Sequence, residues 1–194
     1  MQIDVRQGIL LGICQVPSPN YNERPPGTVV DLVVIHNISL PPGEFGGSYI
    51  DAFFTNTLDT STHPYFTEIA PLQVSSHCLV RRGGEIIQYV PFNKRAWHAG
   101  PSQFAGRENC NDYSIGIELE GTDTVPYTFA QYTALASLIA LLQQQYPGIT
   151  QERIVGHSTI APDRKTDPGP AFEWGLLLTL LTGDMNEKRV NVEI

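Results

Sequence analysis

The sequence has few basic residues and no long hydrophobic run. Its 194 residues include 12 lysines and arginines against 20 aspartates and glutamates, a formal net charge of −8 at pH 7. Nucleic acids and anionic membranes both need a basic protein surface, so this balance disfavours either partner. No segment approaches the roughly 20 apolar residues that cross a bilayer. We therefore expect no nucleic-acid partner and no membrane insertion.

Cysteine is also scarce. Three cysteines, Cys14, Cys78 and Cys110, are an odd number without CxxC spacing, which argues against a disulfide framework and favours a reducing compartment. The apolar run before Cys14 is too short for a signal peptide and is preceded by Asp4 rather than by a basic region. These features predict a cytoplasmic protein.

The remaining composition is that of a globular domain. Hydrophobic residues make up 41% of the chain and charged residues 16%, which is typical of a compact fold rather than a disordered chain. The length suits one domain with a substantial core. We expect a monomer in which residues 1–183 form the domain and the polar residues 184–194 form a flexible C-terminal tail.

Hydrophobic periodicity predicts an α/β fold, a single domain with a central mixed β-sheet flanked by helices. The predicted strands are 31–36, a hairpin of 77–82 and 85–90 with a two-residue Gly83-Gly84 turn, and 114–120. The predicted helices begin at Ser48, run from Thr128 to Pro147 with a capping box, and run from about Pro170 to Leu181.

Two histidines and an aspartate are placed where a metal site could form. His36 ends the first strand, and His157 follows the β-like run 153–156. If the two strands are neighbours, the imidazoles converge and Asp167 folds back from its proline-stiffened loop. A catalytic zinc needs three such ligands and a free fourth position. Each histidine alone is more commonly a polar strand end, but three such coincidences are harder to explain that way.

Alternation in the strand 114–120 predicts that Glu118 and Glu120 share one face and that three apolar residues share the other. Glu118, nearer the middle, is the better candidate for a general base, with Glu120 in a supporting or exposed role. Gly116 on the same face would leave room for substrate. A solvated face at a sheet edge is the competing interpretation. Lys165, beside Asp167, could stabilise an oxyanion or be a solvated loop lysine.

Four blocks of sequence carry a family resemblance: 36–43, 96–100, 114–121 and 156–169. Together they resemble the N-acetylmuramoyl-L-alanine amidases, in particular the cytoplasmic enzymes of Gram-negative bacteria that act on 1,6-anhydro-N-acetylmuramyl-L-alanine. This group shares a fold with peptidoglycan recognition proteins and phage T7 lysozyme. The resemblance extends from about Val16 to Trp174, nearly the whole domain.

The resemblance implies a zinc-dependent amidase domain and a small muropeptide substrate from cell-wall recycling. The amide between the lactyl group of anhydro-muramic acid and L-alanine would be cleaved. One Zn²⁺ per chain would be held by His36, His157 and Asp167, with Glu118 as general base and Lys165 stabilising the transition state. Candidates for the substrate-binding wall are Asn37, Tyr65, Trp97 and His98.

One departure and three alternatives accompany this interpretation. Many relatives carry an acid at the position of Thr159, which could alter how the loop after His157 is held.

The chain could instead be a non-catalytic peptidoglycan-binding module, although the full ligand set argues against it. A cysteine amidohydrolase using His77 and Cys78 is disfavoured because strand neighbours point to opposite faces. A structural zinc would want a closed, cysteine-rich site.

Overall fold

The computed structural model describes residues 1–183, so the predicted tail 184–194 lies outside the described residues. The strands are β1 Gln2–Asp4, β2 Ile9–Leu11, β3 Cys14–Gln15, β4 Tyr21–Asn22, β5 Leu32–Ile38, β6 Cys78–Val80, β7 Ile86–Gln88, β8 Arg95–Ala96, β9 Gln103–Phe104, β10 Arg107–Glu108, β11 Ser114–Glu120 and β12 Ile154–Gly156. The α-helices are α1 Tyr49–Phe54, α2 Pro64–Ile69, α3 Phe129–Gln145, α4 His157–Ile160 and α5 Trp174–Thr182. Within residues 1–183, no helix is long and apolar enough to cross a membrane.

A six-stranded mixed sheet forms the centre of the molecule, in the order β12-β5-β11-β6-β7-β3. β12, β5, β11 and β6 run parallel to one another, whereas β7 is antiparallel to β6 and parallel to β3. Parallel neighbours need crossover connections, and these carry the helices that flank the sheet. The predicted fold class is confirmed.

The two faces of the central strands differ in chemistry. Ile115, Ile117 and Leu119 of β11 are buried in one cluster with the apolar residues of α3 and α5. The helix α3 starts with the predicted capping box, in which Thr128 Oγ1 accepts from the Gln131 amide and Gln131 Oε1 accepts from the Thr128 amide, both at 3.1 Å. On the opposite face, Leu32 and Val34 of β5 are buried in a second apolar cluster. His36 and Glu118 follow on that face toward the carboxyl ends of β5 and β11.

The hairpin turn and the start of the last helix differ from the sequence prediction. The hairpin of β6 and β7 closes through Arg82-Gly83-Gly84, with Arg81 paired to Glu85 and Gly84 at φ +90°. A three-residue loop with glycine in the left-handed region replaces the predicted two-residue turn. α5 begins at Trp174 rather than near Pro170, because residues up to Glu173 form turns and the Glu173 amide donates to the Tyr132 hydroxyl at 2.6 Å.

β11 lies between β5 and β6, so its acidic face is not a solvated sheet edge. Glu120 is 2% exposed, and its carboxylate accepts from the amides of Gly46 at 2.6 Å and Arg82 at 3.1 Å. The Arg81 guanidinium is 3.6 Å away. The exposed role, one of the two expected for Glu120, is therefore wrong. Its carboxylate joins the glycine-rich loop 43–47 to the hairpin, since a buried carboxylate needs such partners.

Candidate metal and catalytic site

Three electron-pair donors meet on the face of the sheet opposite α3. His36 Nδ1 lies 2.9 Å from His157 Nδ1 and 3.2 Å from Asp167 Oδ2, and the last two atoms are 3.1 Å apart. Among the described residues, these three form a group of metal-binding type. Both histidines are buried, and the Asp167 side chain is 14% exposed. The convergence expected from the sequence is therefore present.

Sheet order and one close contact bring the three donors together. β12 pairs in parallel with β5, so His157, directly after β12, lies beside the carboxyl-terminal half of β5 that carries His36. β5 continues to Ile38, two residues beyond the predicted end. A Cβ on Gly156 would meet Pro168 Cδ at 2.7 Å, so glycine lets the returning loop pack here. The Ser158 amide then donates to the Asp167 carbonyl at 3.0 Å.

The hydrogen-bond partner of His157 leaves its inner nitrogen as a lone-pair donor. His157 Nε2 is 3.1 Å from the Ala99 carbonyl oxygen, which can only accept, so Nε2 carries the hydrogen and Nδ1 faces the other donors. Burial lowers the pKa of His36 to about 4. Neutral imidazole and ionised carboxylate are the forms that bind a metal.

The spacing of these atoms fits a tetrahedral ion. Zinc ligands at 2.0–2.1 Å from the metal in a tetrahedron are about 3.3 Å apart, close to the 2.9–3.2 Å between the three donor atoms. Lone pairs at this separation repel one another unless a cation lies among them. The donor set of two imidazoles and one carboxylate matches catalytic zinc, which leaves further positions open.

Glu118 lies beside the metal-binding residue His36 because of the register between their two strands. In the parallel pairing of β11 with β5, Glu118 is the Cα partner of His36. Its side chain is buried, and no described residue gives Oε2 a hydrogen bond. Burial, followed by the charge of Asp167, raises the pKa of Glu118 well above its ordinary value, and Lys165 partly offsets this. A carboxylate with a raised pKa, aimed into a cleft, is suited to accept and return a proton.

A cleft of about 690 Å³ contains the donors, Glu118 and the half-buried Lys165. Its lining also includes apolar side chains, among them Leu40, Phe53, Ile69 and Leu72. Such a cleft can take a ligand with a polar reactive part and an apolar part.

All four predicted wall residues line this cleft, but three of them also hold the protein together. Asn37 Nδ2 donates to Asp123 Oδ1 at 2.8 Å and to the Pro168 carbonyl at 3.2 Å, and Trp97 Nε1 donates to Asn22 Oδ1 at 2.6 Å. His98 Nδ1 lies 2.9 Å from His36 Nε2. Tyr65 of α2 lies along the wall. Their roles toward substrate stay predictions.

The room expected above Gly116 is taken by protein. A Cβ at this position would overlap the ring of His98, so the glycine accommodates His98 rather than substrate. Sequence reasoning also missed the Ala99 carbonyl, which accepts from His157 and from Arg164 Nη2 at 2.6 Å. A backbone acceptor leaves no side-chain signal in a sequence. Thr159 is exposed on α4, and this carbonyl already orients His157 without help from that position.

The cysteine alternative does not fit the structure. Cys78 is fully buried with the apolar side chains that face α3, and burial raises the pKa of its thiol. Its neighbour His77 stacks near Phe92, with ring centroids 6.2 Å apart. A buried neutral thiol is a poor nucleophile.

Comparison with known proteins gives consistent results. The family model described as N-acetylmuramoyl-L-alanine amidase matches residues 26–170. The chain is 61% identical over 178 residues to 1,6-anhydro-N-acetylmuramyl-L-alanine amidase AmpD of Escherichia coli (strain K12), covering 92% of this chain and 97% of that protein. A crystal structure of a selenomethionine AmpD derivative superposes with a TM-score of 0.90 at 58% identity, covering 93% and 99% of the two chains. E. coli AmiD in complex with anhydro-N-acetylmuramic acid-L-Ala-D-gamma-Glu-L-Lys gives a TM-score of 0.58 at 30% identity, covering 83% and 65%.

Proposed function

The chain belongs to the N-acetylmuramoyl-L-alanine amidase family, and from this premise we propose that it is a zinc-dependent amidase of muropeptide recycling. Its substrate would be a small muropeptide, cleaved between the lactyl group of (1,6-anhydro-)N-acetylmuramic acid and L-alanine. The substrate proposal is supported by the name of the E. coli relative and by the ligand bound to AmiD. One Zn²⁺ per chain would be held by His36, His157 and Asp167.

The observation that carries this proposal is the meeting of three lone-pair donors within 3.2 Å of one another. A zinc ion bound there would lower the pKa of water toward ~7 and polarise the scissile carbonyl. Without a cation the same arrangement would be electrostatically unfavourable, since a buried carboxylate and two imidazole lone pairs face each other.

The protein's own residues divide the remaining chemistry. Glu118, with a raised pKa and an unpartnered buried oxygen, accepts the proton of the attacking water and returns it to the leaving nitrogen of L-alanine. Lys165, in the lining of the same cleft, would contribute positive charge that stabilises the oxyanion of the tetrahedral intermediate. The apolar residues that line the cleft would exclude water and position the rest of the substrate.

The experiment combines metal analysis with product analysis on one sample. We expect about one zinc per chain, hydrolysis of a defined anhydro-muramyl peptide to the sugar and the free peptide, and loss of turnover in a strong chelator that added zinc reverses. Parallel assays on a reducing-end muropeptide measure the need for the anhydro ring. Binding of the peptide without hydrolysis by the zinc-loaded protein would instead identify a non-catalytic binding module. Full turnover in chelator would refute the zinc proposal.

A further inference from the structure

A chain of hydrogen-bonding groups extends from the outer side of His36 to the backbone. His36 Nε2 lies 2.9 Å from His98 Nδ1, and His98 Nε2 lies 3.1 Å from Ser114 Oγ. Ser114 Oγ in turn donates to the Cys110 carbonyl oxygen at 2.6 Å. The rings of His36 and His98 meet edge to face, with centroids 5.0 Å apart and an interplanar angle of 85°. This geometry is that of an in-plane nitrogen contact, not of stacking.

The last member of the chain sets the direction of every bond in it. The Cys110 carbonyl can only accept, so the single hydroxyl hydrogen of Ser114 points toward it. Ser114 Oγ is then the acceptor for His98 Nε2–H, which leaves a lone pair on Nδ1 of a neutral His98. That lone pair accepts from His36 Nε2–H. The inner nitrogen of His36, Nδ1, is thereby left without a hydrogen.

The contact between the two rings agrees with this direction. Two neutral imidazoles whose nitrogens are 2.9 Å apart need one hydrogen between them, and His36 Nε2–H supplies it.

We propose that His98 is a positioning residue that fixes the tautomer and ring orientation of His36, so that Nδ1 of His36 is presented to the metal. The inference rests on the proposed zinc function and adds a residue to it. In this proposal His98 orients the metal ligand His36 through a hydrogen bond, in place of the role in the substrate-binding wall predicted from the sequence. The two histidine ligands are then held by different means: His157 by the carbonyl of Ala99, and His36 by a second side chain.

The surroundings of His98 are built for this orientation. Its backbone amide and that of Ala99 donate to Asn111 Oδ1 at 3.1 and 2.8 Å, which fixes the start of the side chain. The absence of a Cβ at Gly116 gives the ring its place against β11. A residue that only lined the cleft would need neither the hydrogen bonds to Asn111 nor the space left by Gly116.

The test compares two substitutions of nearly equal shape, His98→Asn and His98→Leu. The Asn Oδ1 lies where Nδ1 of histidine lies and can still accept from His36 Nε2–H, whereas leucine cannot. Zinc affinity is measured by competition with a chromogenic chelator. Loss of a partner of a metal ligand typically weakens metal binding 10–100-fold. We expect that loss for His98→Leu, and binding within a few-fold of wild type for His98→Asn.

A matched control replaces a histidine that takes no part in this series of hydrogen bonds. His63 caps α2 by accepting from the Tyr65 amide at 3.1 Å, and asparagine is also a good N-cap. His63→Asn should therefore leave zinc affinity unchanged. Ser114→Ala tests the same series of hydrogen bonds while both imidazole rings stay in place. It should weaken zinc binding because the direction of the hydrogen bond between His98 and His36 is no longer fixed.

Long-range ¹H–¹⁵N NMR of the zinc-free protein gives an independent readout. We expect the His36 hydrogen on Nε2 in wild type and a mixture of tautomers in His98→Leu. Equal weakening of zinc binding by His98→Asn and His98→Leu, or wild-type affinity in a folded His98→Leu protein, would overturn the positioning role. If wild type itself binds no zinc, the proposed function fails. Zinc-dependent wild-type activity with an unaffected His98→Leu protein contradicts this inference alone.

Discussion

The buried histidine that precedes β6 should make the protein sensitive to mild acid. His77 has no solvent exposure; its Nδ1 accepts from the Gly116 amide at 3.0 Å, and its Nε2 donates to the Lys94 carbonyl at 3.1 Å. Burial, and then the nearby Arg24 guanidinium, lower its pKa from 6.5 to about 3. The perturbation we choose is His77→Asn, because the amide oxygen can still accept from Gly116 while nothing titrates.

The magnitude follows from the difference in pKa between the two states. Between pH 6.5 and about pH 3 the unfolded chain binds a proton at His77 and the folded chain does not, so stability falls as pH falls. At 1.36 kcal/mol per pH unit, the loss between pH 7.5 and pH 4 is about 3 kcal/mol. At neutral pH the substitution itself should cost about 1–3 kcal/mol, because the bond to the Lys94 carbonyl is lost.

Urea unfolding of both proteins in a chelator, at several pH values from 7.5 to 4, measures this contribution. Groups common to both proteins, such as His36 and Asp167, cancel in the difference between the two free energies of unfolding. We expect the deficit of His77→Asn to shrink by about 3 kcal/mol toward pH 4. Two stability curves that stay parallel over this range would refute the assignment of His77 as neutral in the fold.

Three further predictions concern the site. Glu118→Gln should keep the metal and lose about 10²–10⁴-fold in kcat, because an amide cannot accept the proton; equal loss of zinc, measured on the same sample, would make Glu118 a ligand instead. Lys165→Ala should lower kcat about 10²–10³-fold with little change in zinc content. Nearly unchanged turnover would show that Lys165 is a solvated loop lysine without a catalytic role. Gly116→Ala should cost about 1–3 kcal/mol in urea unfolding because its Cβ overlaps the His98 ring; wild-type stability together with wild-type zinc affinity would show that His98 tolerates displacement.

Features set by local sequence were predictable. The strand periodicity of 31–36 and 114–120 and the capping box at Thr128 depend on residues close together in the chain, and β5, β11 and α3 lie where these patterns placed them. The meeting of His36, His157 and Asp167 was also reachable, because parallel neighbouring strands bring their carboxyl ends to one edge.

Features set by distant partners were not predictable. Glu120 can be buried because the amides of Gly46 and Arg82, far away in the sequence, donate to its carboxylate. The glycine at 116 indicated that space was needed, but not that a histidine from another loop would fill it. Periodicity therefore identified which face carries the chemistry, and tertiary contacts decided what each polar residue on that face does.

The candidate site draws its residues from central strands and from a loop, two parts of the molecule that should differ in local stability. His36 and Glu118 lie side by side on two central strands, whose amides should exchange with solvent only when the whole domain unfolds. Asp167 and Lys165 lie in a loop of short turns, which can open while the sheet stays folded. Ion release should consequently begin with departure of the carboxylate, leaving a pair of imidazoles behind. The lifetime of the loaded protein is then set by the opening of residues 161–169 rather than by the strength of the sheet.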